Sequence, residues 1–215
     1  MHLTVFDLDH TLITANSSFR FGHFLYHQHF FSFWTLSRCL VTYSRHRWLG
    51  MSIHDLHHQI FDSLFKGRTL SLIELYAAQF VRESLKGMIY LPAIKRLKEA
   101  QSRGDYVLIL SSSPDFLVRE IAHALGVNHW KATKYEANNE GERKLMAISH
   151  VMEGLDKADV LINLSRDLEL PHSAITVYSD SYLDLPILKM AGRAIAVKPD
   201  SRLKTICLQN GWEIL

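Results

Sequence analysis

The stretch Leu3-Thr4-Val5-Phe6-Asp7-Leu8-Asp9-His10-Thr11-Leu12 restricts this chain more than any other. Val5 and Phe6 favour strands, and the run is apolar from Leu3 up to Asp7 apart from Thr4, the pattern of a strand buried on both faces. Asp7 and Asp9 then fall where that strand should end. Burying two like charges so close together costs several kcal/mol unless a cation neutralises them. A hard divalent ion such as Mg²⁺, which prefers oxygen ligands, meets that need. Taken alone, the motif also fits a polar loop after an ordinary strand.

The rest of the chain narrows the choice. From Asp9 to Asp55 there is no acidic residue, while Arg20, Arg38, Arg45 and Arg47 occur among many aromatic side chains. The apolar positions recur at helical intervals and predict two helices, followed by a second pair over about 52–65 and 69–85 with Ser52 and Thr69 as N-caps. Residues 14–88 therefore read as an all-helical insert between the parts of an α/β core at 1–13 and 89–215.

From Pro92 onward strands and helices alternate. Strands are expected at 106–110, 174–178 and 194–197, and helices over 92–104, 116–126, from Lys157, over 185–190 and after Pro199-Asp200. Asn138-Asn139-Glu140-Gly141 is a turn signal within an expected hairpin over 129–148. Such alternation implies a doubly wound, mostly parallel Rossmann-like sheet, which binds ligands beyond the carboxyl ends of its strands. Asp7, Asp9, Ser111, Asp180 and Asp184 all fall at such ends.

A rim of this kind suits Mg²⁺-assisted phosphoryl transfer. The ammonium of Lys157 would offset charge on the phosphate oxygens, and Ser111 would donate a hydrogen bond to one of them, with Ser112 beside it. One carboxylate can attack phosphorus, and a second two residues on can protonate the leaving oxygen and then activate water. Residues i and i+2 of an extended strand share a face, so Asp7 and Asp9 can both meet the ligand. Ser112 and Ser113 read as turn residues and not as nucleophiles, since no GxSxG elbow surrounds them.

These stretches carry a family resemblance. Phe6-Asp7-Leu8-Asp9-His10-Thr11-Leu12, Leu108-Ile109-Leu110-Ser111, Lys157 after Gly154-Leu155-Asp156, and Tyr178-Ser179-Asp180-Ser181-Tyr182-Leu183-Asp184 follow one another in the chain. In that order they resemble the four motifs of the haloacid dehalogenase superfamily, in its phosphoserine-phosphatase-like branch. The resemblance implies Asp7 as nucleophile, Asp9 as general acid/base and Thr11 as support of the loop. It implies Ser111 and Lys157 at the phosphoryl group. Mg²⁺ would be held by Asp7, the Asp9 carbonyl and Asp180, with Asp184 a ligand or a partner of the ligands. The insert would be the family's cap, with Asn16 and Arg20 as candidate substrate contacts.

Two departures stand out. Ser179 replaces the glycine usual before the aspartate of the fourth motif. The early insert, Thr14-Ala15-Asn16-Ser17-Ser18, has no acid where phosphoserine phosphatases read the substrate's amine, which argues against phosphoserine.

Other features exclude rather than point. Cys39 and Cys207 read as reduced, buried thiols and not as a metal site or a disulfide. No secretory leader is evident, and the most apolar candidate span, 21–43, is interrupted by His23, His27, Gln28, His29 and Arg38. A cytoplasmic location is expected. The net charge of +2 implies no nucleic-acid partner. The histidines at 23–29 and 54–58 read as polar helix faces rather than metal ligands. The aromatic, acid-free segment reads either as the core of a small bundle or dimer face, or as a surface for an anionic, partly apolar ligand or a membrane interface. The expected activity is Mg²⁺-dependent hydrolysis of a small phosphorylated metabolite through an aspartyl-phosphate. The alternatives are a phosphatidylglycerophosphate-type lipid phosphatase acting at the membrane surface, or a phosphotransferase sharing the first step.

Overall fold

The structure is a computed structural model that describes residues 1–139 and 141–215, without the side chains of His46 and Arg47. The first strand, β1 (Leu3–Asp7), lies in the middle of a seven-stranded sheet of order β4-β3-β2-β1-β5-β6-β7. Its neighbours are β2 (Tyr106–Pro114) and β5 (Ile175–Ser179), both parallel to it. Outside them lie β3 (His129–Ala137) beside β2, and β6 (Arg193–Ala196) beside β5, again parallel. The edges are β4 (Leu145–His150), antiparallel to β3, and the short β7 (Glu213–Ile214), parallel to β6.

Period-two alternation buries both faces of this sheet. Leu3 and Val5 pack with Leu108, Leu110, Ile175 and Val177 on one side, and Phe6 packs with Ile109, Tyr178 and Ile195 on the other. The helices divide accordingly. On the Phe6 side lie α5 (Leu91–Ser102) and α6 (Asp115–Ala124), through Leu97, Phe116, Leu117 and Ile121. On the Val5 side lie α7 (Gly154–Asp167), α8 (Leu185–Lys189) and α9 (Ser201–Asn210), through Leu161, Ile187, Leu188 and Leu203. Asp7 follows Val5 by two residues and so shares the face that carries α7 and Lys157.

Between β1 and α5 the chain forms α1 (Ser17–His27), α2 (Phe33–Leu49), α3 (Ile53–Leu64) and α4 (Leu70–Met88). It leaves and re-enters the core at one place. The Thr14 amide donates to the Met88 carbonyl at 2.7 Å, the Tyr90 amide donates to Leu12 at 2.9 Å, and Ile13 bridges Ile89 antiparallel. Phe21, Leu25, Phe61 and Phe80 of this helical part join the core on the Phe6 side of the sheet.

Several expectations are corrected. Ser112 and Ser113 are not turn residues, because β2 continues through Pro114, with a register shift against β3 after Leu110. Thr69 precedes α4 but does not cap it, since its hydroxyl donates to Glu142 at 2.8 Å. Ser52 does cap α3, accepting from the Asp55 amide at 3.0 Å. Residues 213–214 pair with β6. Cys207 is buried and Cys39 half-buried, and both are free thiols. The hairpin of β3 and β4 is present, but its predicted turn includes Glu140, which lies outside the described residues. The aromatic segment is divided, with Phe21 and Phe31 buried and Phe33, Trp34 and Trp48 exposed.

Candidate active site

The carboxyl ends of the central strands carry a buried ionic cluster. Lys157 is on the first turn of α7, which begins with Glu153 and Asp156 capping each other's backbone amides. That placement aims its ammonium at the end of β1, where Nζ lies 2.8 Å from Asp7 Oδ1 and 2.9 Å from Asp184 Oδ2. All three side chains are nearly excluded from water. Asp184 stands just ahead of α8 and its Oδ2 also accepts from the Ser179 hydroxyl at 2.7 Å. Asp180 follows β5 directly, and its Oδ1 accepts from the Thr11 hydroxyl at 3.4 Å.

Charge does not balance here. Asp7, Asp180 and Asp184 face a single ammonium. Burial pushes Asp7 up to about 7, and the charges of Asp184 and Asp9 add to that, against the opposing pull of Lys157. Burial together with the charges of Asp7 and Asp184 pushes Asp180 up to about 8. Burial alone would lower Lys157, yet Asp184 and Asp7 outweigh it and hold the ammonium above its usual range. The cluster is short of positive charge.

Asp9 is held separately. Its Oδ1 accepts from the Ser17 amide at 2.6 Å, at the start of α1, and its Oδ2 accepts from the Ser113 hydroxyl at 2.7 Å. The Ser113 oxygen also lies 3.0 Å from Ser17 Oγ and 2.7 Å from Ser18 Oγ. Asp9 therefore ties the helical part to the end of β2. Ser111, fully buried next to the β-partner of Asp7, accepts from the Ser113 amide at 3.1 Å, and that bond leaves its hydroxyl hydrogen free of the Ser113 amide.

A cavity of about 440 Å³ opens from this rim. Asp9, His10, Ser112 and Ser113 line its floor, and Phe19, Phe21, Leu36, Cys39, Tyr43 and Ile60 of α1, α2 and α3 are among its walls. Asp9 is the only carboxylate on the wall among the described residues. Asn16 lines it as well while its side chain accepts from the Phe19 amide, whereas Arg20 is exposed on α1 outside the lining. His10 holds the left-handed backbone region at φ 60°, turning the chain sharply between Asp9 and Thr11. A larger cavity of about 550 Å³ lies at the other end of β2, lined by Tyr106, His129 and Asn163, and includes none of the rim residues.

The structure thus brings Asp7, Lys157 and Asp184 into contact, places Asp180 within their field, and sets Asp9 and Ser111 on the same rim. Sequence reasoning missed Ser17, Ser18, Ser113 and the part played by Ser179. Ser113 was discoverable: extending β2 by one alternation puts it on the same side as Ser111. The histidines at 23–29 and 54–58 form no centre, and among the described residues no three His, Cys, Asp or Glu side chains are grouped as a metal cluster.

A mostly parallel α/β sheet with acidic side chains and a lysine gathered at its carboxyl rim is an arrangement suited to phosphoryl transfer. The chain belongs to the haloacid dehalogenase-like hydrolase family, whose model matches residues 4–189. That makes it a member of a hydrolase family, and its relatives include proteins named as phosphatases. A phosphoserine phosphatase of Mycobacterium tuberculosis is 26% identical over 212 residues, covering 97% of this chain and 68% of the relative. A histidinol-phosphatase of Neisseria meningitidis is 23% identical over 227 residues, covering 100% and 98%. A solved structure of unknown function from Bordetella pertussis superposes with a TM-score of 0.86 at 21% identity, covering 99% and 97%. A phospho-aspartyl intermediate analogue of phosphoserine phosphatase gives 0.68 at 17%, covering 99% and 91%, a likeness of fold.

Proposed function

We propose that this chain is a Mg²⁺-dependent phosphomonoesterase that passes the phosphoryl group of its substrate to Asp7 and then to water. The observation that carries this reading is the buried contact of Lys157 with Asp7 and Asp184 at the end of β1, beside Asp180. The residues fit the ion: the donors are all oxygens, and buried carboxylates outnumber the ammonium. Asp7, Asp180 and the Asp9 carbonyl would hold Mg²⁺. Asp184 would be their partner, since its Oδ2 is already engaged by Lys157 and Ser179. When bound, the ion supplies positive charge that offsets the phosphate oxygens and keeps Asp7 ionised.

The protein's own groups do the rest. A carboxylate oxygen of Asp7 forms a bond to phosphorus while the ester oxygen leaves, and Asp9 gives that oxygen its proton. Asp9, now ionised, takes a proton from water as the water oxygen attacks the aspartyl-phosphate, releasing phosphate and restoring Asp7. Ser111 and Ser112 donate to the phosphoryl oxygens, Lys157 offsets their charge, and Thr11 steadies Asp180. Residues 1–13 and 89–215 form the catalytic core, and 14–88 act as a cap that selects substrates.

The leaving group enters the 440 Å³ cavity. Phosphoserine and histidinol phosphate, the substrates named for two relatives, both carry an ammonium. Here, among the described residues, the one carboxylate on the wall is Asp9, already bonded to Ser17 and Ser113. An amine-free leaving group with apolar surface, on a small cytoplasmic metabolite, fits better. The apolar wall from α2 favours a phospholipid head group as second reading. A phosphotransferase would share the aspartyl-phosphate and reveals itself by phosphorylating added alcohols. The test is turnover of an aryl phosphate with Mg²⁺ and with EDTA. Loss in EDTA and in Asp7→Asn supports the reading, and turnover indifferent to both overturns it.

A further inference from the structure

Helix α2 has two unlike faces. One side presents Leu36, Cys39 and Tyr43 to the cavity. On the opposite side Trp34, Val41 and Trp48, spaced every seventh residue, fall in one stripe and are 77%, 61% and 80% exposed. Arg38 and Arg45, each four residues beyond a member of the stripe, run alongside it and are exposed. Phe33 and Leu49 extend the apolar surface at the two ends of the helix. Burying large apolar side chains is favourable, so three left in water along one line mark a contact surface.

We propose that this outer face of α2 docks on an anionic lipid bilayer, with the helix lying in the plane of the headgroups. Charge decides the occupant. No acidic residue occurs between Asp9 and Asp55, so nothing in this segment pairs with Arg38 and Arg45 from within. A second copy meeting the same face across a two-fold axis would set those arginines against their own symmetry mates, again without a carboxylate from this segment. An anionic headgroup layer supplies the missing charge. Tryptophan rings and arginine side chains are favoured at its depth, where an apolar body and a polar tip are both satisfied. A helix of 17 residues, about 26 Å long at 1.5 Å per residue, offers a contact line and not a span. Among the described residues no helix is long and apolar enough to cross a membrane.

This surface stands apart from the proposed chemistry, because none of Trp34, Arg38, Val41, Arg45 or Trp48 lines the cavity. It bears on that chemistry all the same. Leu40 lines the cavity and is 41% exposed, so the docked helix would separate the headgroups from the leaving-group site by one layer of side chains.

The test uses the full chain and vesicles of phosphatidylglycerol mixed with phosphatidylcholine, against phosphatidylcholine alone. Sedimentation and tryptophan emission are the readouts. The protein is expected to bind the anionic vesicles, shift its emission to the blue, and be released by salt. The pair Trp34→Ser and Trp48→Ser should weaken partitioning roughly tenfold per ring. Arg38→Gln with Arg45→Gln should weaken it roughly fivefold per charge. Both variants should turn over a soluble aryl phosphate at the wild-type rate, which shows that they fold. Asp7→Asn should bind vesicles unchanged, so failure of the catalytic reading leaves this result standing. Absence of anionic-vesicle binding, binding unaffected by the tryptophan pair, or a dimer dissolved by that pair without any lipid binding overturns the proposal.

Discussion

Asp180→Asn should make the protein more stable in the absence of divalent ions, although it removes a residue proposed to be essential. Asp180 is half-buried beside Asp7 and Asp184, and its carboxyl is pushed from 3.8 up to about 8. The folded chain therefore holds a proton there that the unfolded chain releases. Between pH 4 and 8 the folded state binds more protons, so stability falls as pH rises through that window. The amide carries no charge and keeps an oxygen to accept from Thr11. Removing the charge should recover about 2 kcal/mol at pH 8.5 in EDTA, after allowing for relaxation and water near Asp180. For a chain of this size that raises Tm by about 4–8 °C. At pH 4 most of the difference should be gone, because the wild-type carboxyl is protonated in the folded state and close to its midpoint in the unfolded one. Mg²⁺ should raise the Tm of the wild type and leave the variant nearly unmoved, since an ion that binds only the folded state stabilises in proportion to its affinity. Melting curves across pH, with EDTA and with Mg²⁺, decide it. A variant less stable than wild type at pH 8.5 in EDTA, or equally stabilised by Mg²⁺, would refute the reasoning.

Other substitutions separate the roles. Lys157→Met leaves Asp7 and Asp184 buried without their ammonium, so a loss of about 3–5 kcal/mol in unfolding experiments above pH 7 is expected, with turnover down at least about a hundredfold. Ser113→Ala frees one oxygen of Asp9 and should slow alkyl phosphates, whose leaving oxygen needs a proton, about tenfold more than nitrophenyl phosphate. Cys39→Trp fills part of the cavity, and should raise KM about tenfold for bulky leaving groups while leaving acetyl phosphate within about twofold.

The rim was legible because each strand ended at a chemical change in the sequence. Apolar runs stopped at Asp7, at Ser111 and at Ser179-Asp180, and parallel topology does the rest by setting all such ends on one side. The serines were not legible for the opposite reason. Ser113 looks like a turn residue beside Pro114, and only pairing with β3 extends the strand through it. Thr69 illustrates a similar limit: its neighbours mark a helix start, but Glu142, far along the chain, takes the hydroxyl. Ser179 could be noted as a departure from glycine, yet its bond to Asp184 depends on the turn between β5 and α8. In α2 the helical period was evident, but which aromatic rings face inward depends on α1 and α3, and Trp34 and Trp48 face out.

The central claim is that the side chain of Asp7 carries the phosphoryl group. Acid quenching during turnover, followed by peptide mass spectrometry, tests it most directly. The account predicts a phosphoryl group on the peptide containing Asp7, labile to hydroxylamine as an acyl-phosphate is, and absent in Asp7→Asn. A phosphoryl group on a serine or histidine, or label persisting in Asp7→Asn, would contradict it.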